Sequence, residues 1–287
     1  MRAILTIGCS GSGKTTWALQ QDERIICRDN IRRELIGLRI SENLWDNYHF
    51  DREVEVNNEV ARQIKYAAQR KEDIIIADTN VSAKARNNLI ELLEQHGYQV
   101  ETKVFDTPIQ VCLSNNQKRV DVVAENVIWN QWQSLNIQGF IKEDTIIEDN
   151  IIVCDIDGTV AKMNGRSPYD YTQVHTDLPR HAVIDAVLGL ADQTGAMIVF
   201  VSGRKMDCRD ITVKWLEKNV LVSTEFELFM RQFNDNRPDT VVKREIYDTF
   251  LKGKNVIAVF DDRPSVVDMW NDLGLTVFAV ADQRNRF

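Results

Sequence analysis

Asp155 and Asp157 stand one residue apart where the apolar run "IIVC" gives way to a Gly-Thr turn. On an extended strand end, side chains two residues apart point the same way. Both carboxylates can therefore face one reacting centre. Asp155 suits attack on phosphorus to give an aspartyl-phosphate, and Asp157 suits protonation of the leaving oxygen and later activation of water. Three further pieces follow in order. "VFVSGR" offers the Ser202 hydroxyl with Gly203 beside it, "TVVKREI" offers the Lys243 cation, and "VIAVFDDR" ends in Asp261 and Asp262. Asp261 and Asp262, with Asp155 and Asp157, form a candidate Mg²⁺ set, since magnesium takes a few carboxylates plus water and phosphate oxygens. The flap "AKMNGRSPYDY" adds Lys162 and Arg166 as candidate contacts to a substrate phosphate.

The start of the chain points to the reverse chemistry. "GCSGSGKT", from Gly8 to Thr15, matches the phosphate-cradling loop G-x-x-x-x-G-K-[ST] in full. Gly8, Gly11 and Gly13 let the backbone wrap close to phosphates, with Ser10, Ser12 and Thr16 completing the loop. Lys14 reaches the β- and γ-phosphates, and the Thr15 hydroxyl suits Mg²⁺. Asp29 and Arg32 lie three residues apart just after the apolar "RIIC". A carboxylate there can take the proton of an attacking hydroxyl, and the arginine can hold an anionic group of the acceptor. The plainer reading of Asp29 is a helix N-cap. Asp78 closes "IIIADTN", where it can serve the acceptor or Mg²⁺, or cap the next helix. Arg119, in "NNQKR", is the candidate lid arginine against the transferring phosphoryl group.

These residues need rigid strand ends to hold them. Residues 3–7, 73–80 and 99–106 read as strands, and 51–71, 82–96, 108–118 and 121–138 as helices. The pattern restarts after a polar stretch, with strands at 151–155, 196–201, 226–230, 255–260 and 275–280. Helices near 180–194, 207–219, 240–251 and 264–273 lie between them. Strands alternating with helices predict two tandem parallel α/β sheets. The expected domains are 1–142 and 151–287, joined by a linker at 143–150. The short spans between motifs in the second half leave no room for a separate cap domain. An uncapped site suits the end of a polymer better than a small metabolite.

The chain has 287 residues, a formal net charge of −8 and 27% charged residues. That length is comfortable for two domains. The acidic balance excludes coating of long duplex DNA, so any nucleic-acid partner must be gripped locally. Five scattered cysteines and four histidines exclude a disulfide framework and a structural zinc site. No apolar stretch approaches the ~20 residues of a membrane span. "LTIGC" follows too short an apolar stretch for a lipoprotein signal. A cytoplasmic enzyme is expected.

"LTIGCSGSGKTTW", "DIDGTVAKMNGRSPYD", "VSGR", "VVKREI" and "DDRPSVVDMW" resemble the T-even phage family of polynucleotide 5′-kinase/3′-phosphatases. The likeness runs over nearly the whole chain in the same domain order. It implies an adenylate-kinase-like P-loop domain, an uncapped haloacid-dehalogenase-type phosphatase domain and a homotetramer. It implies an NTP donor such as ATP, RNA or DNA ends as substrates and a ligase as functional partner. Asp29 is then the general base, Arg32 binds the acceptor's 3′-phosphate, Asp78 supports the acceptor, and Arg119 is a lid arginine. Arg166, Ser202, Arg204 and Lys243 are implied phosphate binders. Asn115 stands where the family has a second lid arginine, so either Lys118 substitutes or the lid meets the donor differently. Two other readings compete. One is a nucleoside or sugar kinase fused to a metabolite phosphatase. The other is an ATP-switched binding module, which the intact acid/base sets oppose.

Overall fold

The computed structural model describes residues 1–141, 149–167, 170–220 and 225–281. The chain divides into two compact units, Met1–Glu143 and Asp144–Phe287. Most of the expected linker at 143–150 lies outside the described residues, as do Pro168 and Tyr169 of the flap.

The first unit carries a parallel sheet of four strands in the order β2-β3-β1-β4. These are β1 (Arg2–Ile7), β2 (Arg24–Ile26), β3 (Ile74–Ile76) and β4 (Gln99–Val104). The interior strands β1 and β3 are almost wholly buried, as continuous apolar runs should be in a sheet covered on both faces. The edge strand β4 is largely exposed, which explains its alternating polar sequence. Its helices are α1 (Lys14–Ala18), α2 (Arg28–Leu35), α3 (Glu53–Gln69), α4 (Ala83–Gln95), α5 (Ile109–Gln117) and α6 (Glu125–Ile137). Helix α3 buries Val56, Val60, Ile64 and Ala67, an i, i+4, i+8, i+11 stripe. The stripe packs in one cluster with Leu5, Ile74 and Ile76 of the sheet.

The second unit has a parallel sheet in the order β11-β10-β5-β8-β9. Its strands are β5 (Asn150–Cys154), β8 (Met197–Lys205), β9 (Phe226–Arg231), β10 (Asn255–Asp261) and β11 (Val277–Ala279). A small antiparallel ribbon, β6 (Ala161–Lys162) with β7 (Leu178–Pro179), lies outside it. Its helices are α7 (His181–Thr194), α8 (Arg209–Asn219), α9 (Asp239–Ile246) and α10 (Pro264–Asp272). The central strand β5 pairs with β10 on one side and β8 on the other. That order sets Asp155 beside Asp261 and beside the Ser202–Arg204 end of β8. The helix expected over 240–251 stops at Ile246 and continues as a π turn, Tyr247–Leu251. Within the turn Phe250 is buried and stacks on Phe229, with ring centroids 4.5 Å apart. Among the described residues no helix is long and apolar enough to cross a membrane.

Candidate active sites

The loop from Gly8 to Gly13 leaves β1 and is braced from several sides. Gly8 N–H donates to the Thr79 carbonyl (3.2 Å). Ser10 N–H donates to Gln131 Oε1 (2.8 Å), and Thr107 Oγ1 donates to the Ser12 carbonyl (3.0 Å). Gly11 has φ +82°, and a Cβ there would lie 2.2 Å from the Cys112 carbonyl, so no larger residue fits. Asn115 donates its Nδ2 to the Gly11 carbonyl at 3.0 Å. The residue in the place of a lid arginine is therefore a strut between α5 and the loop.

Helix α1 has only five residues. Its macrodipole is correspondingly small, so an anion there would rest on the loop N–H groups more than on the helix. Lys14 is buried, and its Nζ donates to the Cys9 carbonyl (2.5 Å) and Ser12 Oγ (3.2 Å). Burial lowers the Lys14 ammonium to about 8, and the nearby Arg119 cation adds to the fall. The Asp29 carboxylate works in the opposite direction on the same group, so Lys14, Arg119 and Asp29 share one electrostatic neighbourhood. Thr15 and Thr16 are exposed.

Asp29 is not a helix cap. The N-cap of α2 is Cys27, which makes no side-chain cap bond. Asp78 supplies the missing acceptor from β3, taking the Arg28 N–H on Oδ1 at 2.9 Å. Nor does Asp78 cap the helix after it, since Ser82 does that for α4. Burial pushes the Asp78 carboxyl up to about 6 despite Arg28 beside it. Asp29 is thereby left free to accept from Arg32 Nη1 (2.7 Å). Arg32 also makes a bidentate pair with Glu53, at 2.8 and 3.1 Å. Its guanidinium lies over the rings of Trp45 and Tyr48. Glu53, Trp45, Tyr48 and Gln131 were not legible as site residues, since nothing local in the sequence ties them to Asp29 or the loop.

The second site is a cleft of about 660 Å³ at the C-terminal edge of the sheet, lined in part by Asp155, Asp157, Gly203, Arg204, Lys243 and Asp262. Lys243 Nζ donates to Asp155 Oδ1 (2.6 Å) and Asp261 Oδ2 (2.7 Å). Asp261 also accepts from Trp270 Nε1 at 3.2 Å. Carboxylate oxygens of Asp155, Asp261 and Asp262 lie within 4.8 Å of one another. Burial, with the neighbouring carboxylates, pushes the Asp155 carboxyl up although Lys243 opposes it. Three hard oxygen donors with one ammonium between them remain short of positive charge, which fits a divalent cation. Gly158 has φ +83°, and a Cβ there would fall 2.0 Å from Asp262 Oδ2. Only glycine lets the turn pass that carboxylate.

One expectation changes here, and the placement of the other expected residues becomes visible. The Asp157 carboxylate is outside the metal group. Its Oδ1 accepts from Arg166 Nη2 and Arg204 Nη2, and its Oδ2 from Arg204 Nε, all at 2.8 Å. Desolvation opposes its charge, but the two guanidiniums hold the carboxyl below its ordinary range. Arg166 and Arg204, the implied phosphate binders, have side chains only 2% and 0% exposed, and Arg204 lines the cleft. Both also donate to Asp177, Arg166 at 2.7 Å from Nε and from Nη2, and Arg204 at 2.8 Å. Together they tie Asp157 to Asp177. Lys162 is exposed on β6, and it is Met163 that lines the cleft. Ser202 is buried, and its Oγ accepts the Arg204 N–H at 3.2 Å, which leaves the hydroxyl proton for another acceptor.

Asp177 escaped sequence reasoning because it follows no apolar strand. Its backbone carbonyl also accepts from Trp215 Nε1 at 2.8 Å. Arg231 and Arg263 line the same cleft and share Asp239 as ion-pair partner. Both lie at or just past strand ends, so the rule that found Asp155 would have found them.

Two family models match the chain, one in each half. Residues 149–284 match the model of the polynucleotide kinase PNKP phosphatase domain, and residues 4–136 match an AAA domain. The chain is 33% identical over 292 residues to a protein of Autographa californica nuclear polyhedrosis virus named "Putative bifunctional polynucleotide kinase/RNA ligase". That alignment takes in 96% of this chain and 42% of the viral protein, so the chain spans less than half of its relative. A chain of the Pnkp1/Rnl/Hen1 RNA repair complex is 25% identical, with a TM-score of 0.43 and coverage of 98% of this chain and 96% of that one. A second structure of a Pnkp1/Rnl/Hen1 complex is 24% identical, also at a TM-score of 0.43, covering 98% and 96%. The two domain types use a nucleotide and a divalent metal. The chain thus resembles, over its first half, an AAA domain and, over its second, the phosphatase domain of polynucleotide kinase PNKP, each match covering a little under half of its 287 residues.

Proposed function

We propose that the protein heals broken nucleic-acid ends. Residues 1–142 transfer the γ-phosphate of ATP to a 5′-hydroxyl, and residues 151–287 remove a 3′-phosphate or 2′,3′-cyclic phosphate. The observation that carries this reading is the pairing of a full phosphate-cradling loop with an acidic dyad and a carboxylate cluster able to hold a metal in one chain. The substrates are RNA or DNA ends, the metal is Mg²⁺, and a ligase consumes the product. Assembly as a homotetramer follows from the resemblance.

In the kinase, Asp29 takes the proton of the 5′-hydroxyl as its oxygen attacks the γ-phosphorus. The bond to the β-phosphate oxygen breaks, and ADP leaves. Lys14 and Arg119 neutralise charge on the moving phosphoryl group, and Arg32 holds the acceptor's 3′-phosphate. Thr15 is the candidate metal contact there.

In the phosphatase, Asp155 attacks the 3′-phosphorus, and the bond to O3′ breaks as Asp157 supplies a proton. Water, with Asp157 as base, then attacks the aspartyl-phosphate and releases inorganic phosphate. The two guanidiniums on Asp157 favour its base form. Its acid form depends on the negative charge that the substrate phosphate brings into the cleft. Asp155, Asp261 and Asp262 would hold Mg²⁺, which offsets the charge of the phosphate.

The test is a 5′-hydroxyl, 3′-phosphate oligonucleotide with ATP and Mg²⁺, read at both ends and compared with a free nucleoside as acceptor. The oligonucleotide should gain a 5′-phosphate and lose its 3′-phosphate. Preference for the nucleoside would instead support a metabolite kinase.

A further inference from the structure

Arg32 is the inner end of a stacked column. Its guanidinium carbon lies 5.6 Å from the Trp45 ring centre and 5.7 Å from that of Tyr48. Trp45 stacks on Phe50 with centroids 6.3 Å apart and planes 13° from parallel. Tyr48 meets Phe50 edge-on at 5.6 Å. Phe50 is the outer plate, and it is 65% exposed. Despite both ring contacts, most of its surface remains open to water. A single exposed phenylalanine is ordinary. This one ends a column whose base is hydrogen-bonded to the candidate catalytic carboxylate Asp29.

We propose that the exposed ring of Phe50 is a base-stacking subsite for a single-stranded acceptor. It takes the base of a nucleotide beyond the one whose 5′-hydroxyl faces Asp29. The proposal rests on the reading of the N-terminal unit as a 5′-hydroxyl kinase.

Three further observations support the placement. Arg32 has five N–H donors, of which Asp29 and Glu53 occupy three and Tyr48 borders another, so at least one remains for a phosphate between the two nucleotides. The segment carrying the column is tied down. Asp121 pairs with Arg33 and accepts the Leu44 N–H at 2.8 Å, and Arg52 Nη1 donates to the Leu35 carbonyl at 3.0 Å. A plate held in place before binding costs little ordering. Finally, a chain of net charge −8 gains little from general attraction to phosphates. Stacking supplies affinity without that attraction and without regard to sequence, as an enzyme for ends of any sequence requires.

The test compares two acceptors, a 5′-hydroxyl tetranucleotide and a nucleoside 3′-monophosphate that reaches Arg32 but has no second base. Phe50→Ala should raise KM for the tetranucleotide about tenfold or more, the usual scale for loss of one stacked base. KM for the monophosphate should move less than about twofold, and Phe50→Trp should return the tetranucleotide close to wild type. Equal losses on both acceptors would mean that Phe50 only supports Arg32 and would overturn the subsite. No change on the tetranucleotide would overturn it as well. Wild-type protein that phosphorylates neither acceptor would remove the kinase reading itself, and the subsite with it.

Discussion

The two candidate sites are built to different degrees before any ligand arrives. In the C-terminal unit Asp155, Asp157, Lys243, Arg166 and Arg204 already hold one another through buried ion pairs. In the N-terminal unit Lys14 is folded back on its own loop, and Thr15 and Thr16 face water. The contrast follows from the ligands. A phosphatase must aim a nucleophile and an acid/base at one phosphorus, and buried pairs fix that aim. A kinase loop binds a polyanion whose own charge draws Lys14 and the loop N–H groups into place.

The largest break in this contrast should come from Lys243→Met. Asp155 and Asp261 would then face each other, buried, without their shared cation. Removing one partner of a buried pair costs about 3–5 kcal/mol. Phosphate release from a 3′-phosphate end should vanish, and thermal unfolding should show the C-terminal unit melting earlier. The 5′-kinase should persist. Retention of phosphatase activity would show that the Lys243 pairs are dispensable.

A smaller effect, in the other unit, tests whether a buried charge is tolerated there for function. Asp78 is raised from 3.8 to about 6 by burial. Folding therefore favours its protonated form. The stability it contributes is full below about pH 3.8 and is lost as pH rises through about 6, up to about 3 kcal/mol by pH 8. Asp78→Asn removes the charge and keeps an acceptor for the Arg28 N–H. Denaturant midpoints of the N-terminal unit should rise at pH 8 and match wild type at pH 4. An equal shift at both values would mean that the charge is not the cause. If Asp78 serves the acceptor, kinase activity falls in the same variant.

Smaller again is the strut. Asn115→Ala removes one hydrogen bond to Gly11, worth about 1 kcal/mol. KM for ATP should rise about fivefold in steady-state kinetics. Asn115→Arg should bring no improvement, because the arginine gives up the same bond. An improved KM in that variant would restore the lid reading of position 115.

What could be read from the sequence was whatever chemistry sits next to its own structural signal. Asp155, Asp261 and Ser202 follow apolar runs, and Lys14 lies inside a spaced glycine pattern. What could not be read depends on contacts between distant segments. Asp177 meets Arg204 across 27 residues, and Asn115 meets Gly11 across 104. Arg166 looked like a free flap cation because its burial is set by Asp177, which carries no local mark. The short α1 and the π turn after α9 were likewise invisible, since both are settled by packing more than by helix propensity.

The central claim is that two separate sites act on the two kinds of end. One 5′-hydroxyl, 3′-phosphate oligonucleotide given to Lys14→Met and to Asp155→Asn, with ATP and Mg²⁺, tests it directly. Lys14→Met should release inorganic phosphate at the wild-type rate and leave the 5′ end bare. Asp155→Asn should phosphorylate the 5′ end at the wild-type rate and keep the 3′-phosphate, and an equimolar mixture should process both ends. Loss of both activities in either single variant would contradict the account.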